Sequence, residues 1–165
     1  SVFRVYRNTD VLGCELGGVL KNIIAIAVGM GDGLGAGDNT RSALMTRGLA
    51  EITRLGVAMG GRAETFAGLT GMGDLIATCT SPLSRNRHVG VELGKGRKID
   101  DIIAGMNMVA EGVKSAPTVI ALAEKHGLAM PIAQDVYDVT QGKRDAQEVF
   151  RGLLRSSVGD EAHPG

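Results

Sequence analysis

Apolar positions along the chain fall into a series of helical stripes. Leu16, Val19, Leu20, Ile23, Ile24, Ala27 and Val28 keep the i, i+3, i+4, i+7, i+8 spacing of an amphipathic helix, which predicts one from Glu15 to about Gly35. Leu44, Met45, Leu49, Ile52 and Leu55 make a second stripe over Asn39–Ala58, opened by Asp38-Asn39-Thr40 as capping residues and ended by Gly60-Gly61. Shorter helices are predicted at Ala63–Ala67 and at Asp74–Thr80, the latter with Gly73-Asp74 in cap position. Ser84–Leu93 and Ile99–Gly105 follow, the second capped by Asp100 or Asp101. Val113–His126 is stopped by Gly127, Met130-Pro131 opens a helix to about Thr140, and Asp145–Leu154 is the last. The expected body is all-α.

The two ends depart from this pattern. Val2–Tyr6 reads as a short strand with no partner, and Gly159–Gly165 has the composition of a frayed tail. The expected organisation is therefore a strand or linker at 1–10, a helical domain at 11–158 and a tail at 159–165. A length of 165 residues suits one domain.

Glycine changes the picture most. The chain has 25, without a collagen period. Gly31, Gly33 and Ala36 fit a nominal G-x-G-x-x-A, with Glu51 about 20 residues on, so one reading is a strand entering a dinucleotide loop. The other is that these glycines let two helices approach closely. The helical stripe begins well before the supposed strand, and no second βαβ unit follows.

Charge and cysteine narrow the function classes. Net charge is +0 and aromatics are 3% with no Trp, which argues against a nucleic-acid surface. Cys14 and Cys79 lack partners at metal-ligand spacing, so neither a disulfide framework nor a metal site is expected, and Cys79 reads as a small buried hydrophobe. The longest apolar stretch, Ile23–Gly31, is about half of the ~20 residues a span needs. No signal peptide is visible, and a cytoplasmic protein without integral membrane contact is the expectation.

Four groups could carry chemistry. Lys21 lies inside the first apolar ladder, where it either snorkels to water or, losing hydration, exchanges protons near neutral pH. Asp74 is either a helix cap or, with Thr78 four residues on the same face, a carboxylate and hydroxyl for one ligand. Ser84-Arg85-Asn86-Arg87, followed by His88, Lys95, Arg97 and Lys98 and opposed only by Glu92, is either a solvated basic face or a phosphate site at a helix start. Glu111 precedes a helix, where it bonds sugar hydroxyls or simply favours the helix N-terminus.

Taken in order, Glu15-Leu-Gly-Gly-Val-Leu-Lys-Asn22, Gly31-Asp-Gly-Leu-Gly-Ala-Gly-Asp-Asn-Thr40, Gly71-Met-Gly-Asp-Leu75 and Ser84-Arg-Asn-Arg87 resemble the C-terminal half of bacterial NAD(P)-dependent sn-glycerol-3-phosphate dehydrogenases. The likeness runs to about residue 158. It implies an all-helical substrate domain of the kind shared with 6-phosphogluconate dehydrogenase. It also implies that Lys21 is the proton acceptor when the C2 hydroxyl of glycerol 3-phosphate is oxidised, and protonates dihydroxyacetone phosphate in reverse. Asp74 would contact substrate beside it, with Thr78 on the same face. Ser84, Arg85 and Asn86 match the segment that binds the substrate phosphate, Arg85 also reaching the cofactor, NAD or NADP. Val109 and Glu111 match a loop that touches the cofactor.

The family's main dinucleotide-binding unit is an N-terminal Rossmann domain without a counterpart here, and Val2–Tyr6 fits its last strand. The resemblance thus implies a fragment inactive alone, from a parent that is commonly a homodimer. A non-enzymatic helical phosphate-binding or dimerisation module is the alternative.

Overall fold

The first helix begins where a buried carboxylate takes up its free N–H groups. In the computed structural model, which describes residues 4–106, 108 and 110–153, helix α1 spans Val11–Gly33. It starts four residues earlier than the apolar ladder predicts because Asp10 caps it, accepting the Gly13 N–H at 2.9 Å. Asp10 also accepts the Arg62 N–H (2.8 Å) and the Thr65 hydroxyl (2.7 Å), pinning the helix start to the loop that follows α2 (Asp38–Ala58). Ahead of this clasp, Arg4–Tyr6 are exposed and outside any strand. The described part of the expected N-terminal strand is thus irregular, since no strand among the described residues supplies ladder partners. Residues 1–3 and the expected tail at 159–165 lie outside the described residues.

Helix α1 is the axis of the fold. Leu20, Ile23, Ile24, Ile26, Val28 and Met30 are all at most 2% exposed, so the helix is apolar on nearly every side. By length and composition it could cross a membrane. Here it is instead wrapped by α2, α4 (Asp74–Thr80), α5 (Arg85–Gly94), α7 (Glu111–Lys125) and α8 (Pro131–Thr140). Helices α3 (Ala63–Ala67), α6 (Ile99–Ala104) and α9 (Ala146–Leu153) complete an architecture that is helical throughout the described residues.

Glycine serves helix packing. A Cβ on Gly29 would lie 2.9 Å from the Gly90 Cα, and one on Gly94 would lie 2.9 Å from the Gly33 Cα, so α1 and α5 meet backbone to backbone. Gly31 and Gly33 lie within α1, which removes the strand-to-loop reading of the glycine fingerprint. Its supposed acid, Glu51, is 2% exposed and accepts the Ile132 and Ala133 N–H groups at 2.8 and 3.1 Å, closing the N-terminus of α8. Burial pushes the Glu51 carboxyl up to about 7.

Three helix starts differ from expectation. Gly37, not Asp38-Asn39-Thr40, occupies the N-cap of α2, and Asp38 pairs instead with Arg41 at 2.6 Å. Lys98 occupies that position in α6, leaving Asp100 and Asp101 in the first turn, where the helix dipole favours them. Asp74 is not a cap, because a π turn at Leu69–Gly73 runs directly into α4. By contrast α9 opens with a reciprocal capping box, Asp145 accepting the Glu148 N–H (2.8 Å) and Glu148 accepting the Asp145 N–H (3.1 Å).

Candidate functional site

The π turn aims Asp74. A Cβ at Gly71 would overlap the backbone of Phe66, so only glycine lets the turn fold onto α3, and Gly73 closes it with a 3.2 Å bond to the Gly68 carbonyl. Such π turns recur at functional sites because they re-aim one side chain without ending the helix. Here the Asp74 carboxylate meets Lys21: the ammonium Nζ donates to Asp74 Oδ2. The lysine side chain is 18% exposed and the aspartate 41%, so the pair sits at a wall of the fold with one side open. Lys21 therefore does not snorkel to bulk water. Thr78, one turn beyond Asp74, donates to Oδ1 at 3.4 Å.

A second group comes from α5. Ser84 is its N-cap, accepting the Arg87 N–H at 3.2 Å while its own O–H stays available as a donor. Arg85 is exposed, with Nη1 3.3 Å from the Met108 sulfur. Asn86 is 8% exposed: its Nδ2 donates to Asn22 Oδ1 (3.0 Å) and its Oδ1 accepts the Gly112 N–H (2.9 Å). One Asn86 amide hydrogen remains for a ligand. Arg87 turns the other way, to Asp32 on α1 at 2.6 Å, and Asp32 also holds Arg41 at 2.8 Å. This clamp across α1, α2 and α5 fixes the helix whose first turn carries Ser84, Arg85 and Asn86.

Glu111, the first residue of α7, is exposed and accepts from Asn22 Nδ2 at 3.2 Å. Asn22 thus links α1 to α7 through Glu111 and to α5 through Asn86, and its Nδ2 also donates to the Gly18 carbonyl of its own helix at 3.1 Å. Sequence reasoning missed Asn22 as a site residue, although a buried asparagine beside Lys21 in an apolar ladder signals a polar network. Gly112 was missed for a subtler reason: a Cβ there would lie 2.8 Å from the Asn22 carbonyl oxygen, a contact visible only once α7 is docked on α1.

These side chains converge. Lys21, Thr78, Ser84, Arg85, Asn86 and Glu111 line one open cleft of about 390 Å³, with Asp74 held behind Lys21 and Thr78. That volume suits a small molecule. Val109 lies outside the described residues. The rest of the basic segment does not join the cleft: Lys95 and Arg97 both hold Glu92 at 2.9 Å, and these bonds pull the Glu92 carboxyl down to about 2. Lys98 lines a separate surface hollow, and His88 is exposed outside the cleft. Of the segment from Ser84 to Lys98, only Ser84, Arg85 and Asn86 line the cleft, since Arg87 turns to Asp32 and Lys95, Arg97 and Lys98 lie at or beyond the C-terminal end of α5.

Residues 10–151 match the family described as the NAD-dependent glycerol-3-phosphate dehydrogenase C-terminus. The chain belongs to this family. Over all 165 residues it is 89% identical to glycerol-3-phosphate dehydrogenase NAD(P)+ 2 of Sphingopyxis alaskensis, of which it covers 50%. The crystal structure of the glycerol-3-phosphate dehydrogenase from Coxiella burnetii superposes with a TM-score of 0.90 at 44% identity, over 94% of this chain and 48% of that one. The enzyme of Saccharomyces cerevisiae superposes at 0.78 with 27% identity, over 89% and 43%. The chain therefore spans about half the length of the dehydrogenases it matches, and the family places it as their C-terminal domain.

Proposed function

We propose that this chain is the substrate-binding and proton-transferring half of an NAD(P)-dependent dehydrogenase that interconverts sn-glycerol 3-phosphate and dihydroxyacetone phosphate. The observation that carries the reading is the convergence of Lys21, Asp74 and Thr78 with the first turn of α5 around one cleft. A lysine can move a proton to or from an oxygen, whereas the α5 N-terminus, with the Ser84 hydroxyl and the Arg85 guanidinium, offers donors for a phosphate.

In oxidation, Lys21 Nζ takes the proton of the C2 hydroxyl; in reduction it returns that proton to the ketone oxygen. Asp74 holds Nζ at the cleft wall and stabilises the ammonium once the proton arrives, and Thr78 holds Asp74 in turn. Ser84, Arg85 and the remaining Asn86 amide hydrogen hold the phosphate, which fixes the distance from phosphate to reacting carbon. When bound, NAD or NADP accepts or supplies the hydride. The residues fit such a group: Glu111 is an exposed acceptor at the rim, Arg85 is an exposed donor, and α1 leaves a bare backbone turn at Gly18 beside Lys21. Val109 belongs to the same cofactor-contacting set on family likeness.

Exposed apolar residues support a second domain in the working enzyme. Leu69, Met72 and Ile76 are 42–65% exposed on the elements that carry Asp74 and Thr78, and Leu83 is 89% exposed on the cleft lining. Such a cluster suits coverage by a partner surface, here the N-terminal Rossmann domain. A homodimer and a cytoplasmic location complete the reading on family likeness, and sedimentation equilibrium tests the first.

The experiment is a chimera: the Sphingopyxis alaskensis relative with its matching half exchanged for this chain. The chimera is expected to oxidise NADH with dihydroxyacetone phosphate, and the chain alone to give no turnover. A folded chimera with no turnover, or a chain that turns over at the chimera's rate, overturns the proposal.

A further inference from the structure

We propose that Gly18 is a cofactor-contacting residue, the bare helix turn on which the nicotinamide ring packs beside Lys21. The inference rests on the function proposed above and gives a role to Gly18, which lies in the motif that carries Lys21 but has no side chain in the network around it.

A glycine inside a helix is unfavourable relative to alanine, so each one calls for a steric reason. The other glycines of α1 have one. A Cβ on Gly13 would lie 2.7 Å from the Asp10 carboxyl carbon, on Gly17 3.3 Å from the Thr70 carbonyl oxygen, and on Gly31 3.0 Å from the Phe150 ring. Gly29 and Gly33 meet the backbone of α5 at 2.9 and 3.0 Å. Gly18 differs. Among the described residues nothing beyond its chain neighbours and the backbone of its own helix turn lies within 4 Å of the place its Cβ would take, and its backbone is ordinary α-helix with negative φ. Nothing among the described residues requires glycine there.

Its position supplies a reason. Gly18 precedes Lys21 and Asn22 by one turn, and side chains of a helix lean over the turn before them. Even so, neither of those side chains comes within 4 Å of the Gly18 Cβ position. The turn is held still, because its carbonyl accepts from Asn22 Nδ2 at 3.1 Å. Helix α5 lies alongside α1 in the same direction: Asn86 meets Asn22, Gly90 meets Gly29 and Gly94 meets Gly33. The phosphate-holding turn of α5 therefore starts at the level of Lys21 and Asn22, and Gly18 lies one helical turn away from it towards the N-terminus of α1. A substrate stretched from Lys21 to Ser84–Asn86 lies at that turn. A ring that reaches the same carbon from the side away from that turn lies over Gly18. A flat ring gains most there if it lies against bare backbone, and one methyl would hold it off by a large part of its contact distance.

Two measurements test this. Thermal unfolding of the chain carrying Gly18→Ala is expected to show a midpoint about 2–4 °C higher, since alanine favours the helix and meets open space. In the chimera the same substitution is expected to weaken NADH binding roughly tenfold or more, read as the Kd from fluorescence titration. An unchanged NADH Kd overturns the inference. So does a lowered midpoint, which would mean that the methyl strikes the protein itself. If the unsubstituted chimera neither binds NADH nor turns over, the proposed function fails and this inference fails with it. Tight NADH binding by both proteins sinks the Gly18 assignment alone.

Discussion

Glu51 gives the fold a pH dependence of definite sign. Its carboxyl is buried under α8 and titrates at about 7 rather than its ordinary 4.5, because burial penalises the charged form more than the Ile132 and Ala133 N–H groups favour it. Between these values the folded chain holds a proton that the unfolded chain has released. Stability is therefore highest below about pH 4.5 as far as this group is concerned, and falls as pH rises to about 7. The gap corresponds to about 3 kcal/mol at 1.36 kcal/mol per pH unit. Asp10 and Glu92 have lowered values and act with opposite sign, at more acid pH. Glu51→Gln isolates the effect, because glutamine does not titrate. It keeps one acceptor for the two N–H groups, so the variant should be less stable at pH 5 by about 1–3 kcal/mol. Urea unfolding followed by circular dichroism at pH 5, 6, 7 and 8 should show that deficit shrinking steadily towards pH 8. Parallel pH curves for the two proteins would refute the assignment.

The α1–α5 contact should not tolerate a methyl: Gly90→Ala gains helix propensity yet places its Cβ 2.8 Å from the Gly29 Cα, and a net loss of about 1–3 kcal/mol is expected by urea unfolding. Stability equal to the parent would show that the helices separate freely. Cys79 is fully buried and its thiol is pushed up to about 12, while Cys14 is half-buried; a thiol reagent on the folded chain should modify Cys14 first and Cys79 only after unfolding. Equal rates would contradict that burial. Asp32→Ala removes the clamp on Arg87 and Arg41, both partly exposed, and about 2 kcal/mol of stability should go with it. Double-mutant cycles with Arg87→Ala should show coupling, and strict additivity would argue against the clamp.

Helix identity was legible in the sequence because most stripes bury one face against α1 or α5. The misses concern ends and directions. Asp38 and Asp100 are good capping types, yet Gly37 and Lys98 take those places. Of the two readings of Asp74 the cap fails, because a π turn, which leaves no stripe of its own, runs directly into α4. At the site, Lys21, Asp74, Thr78, Ser84, Arg85, Asn86 and Glu111 were all nominated from type and spacing; six of them line one cleft, and Asp74 is bonded to two of those six, Lys21 and Thr78. Asn22 stayed hidden because its partners are 64 and 89 residues away, on helices whose docking no local pattern specifies. The same limit explains Arg87: its charge suggested a ligand, but its direction, set by Asp32, is a property of the packed fold.

The central claim is that Lys21, held by Asp74, moves the substrate proton. Steady-state kinetics of the chimera with Lys21→Ala test it most directly. The account predicts that kcat falls by about 10²–10⁴ while NADH still binds with the parent's Kd. A kcat within about threefold of the parent would be less than 1 kcal/mol of barrier, and would show that the proton travels by another route.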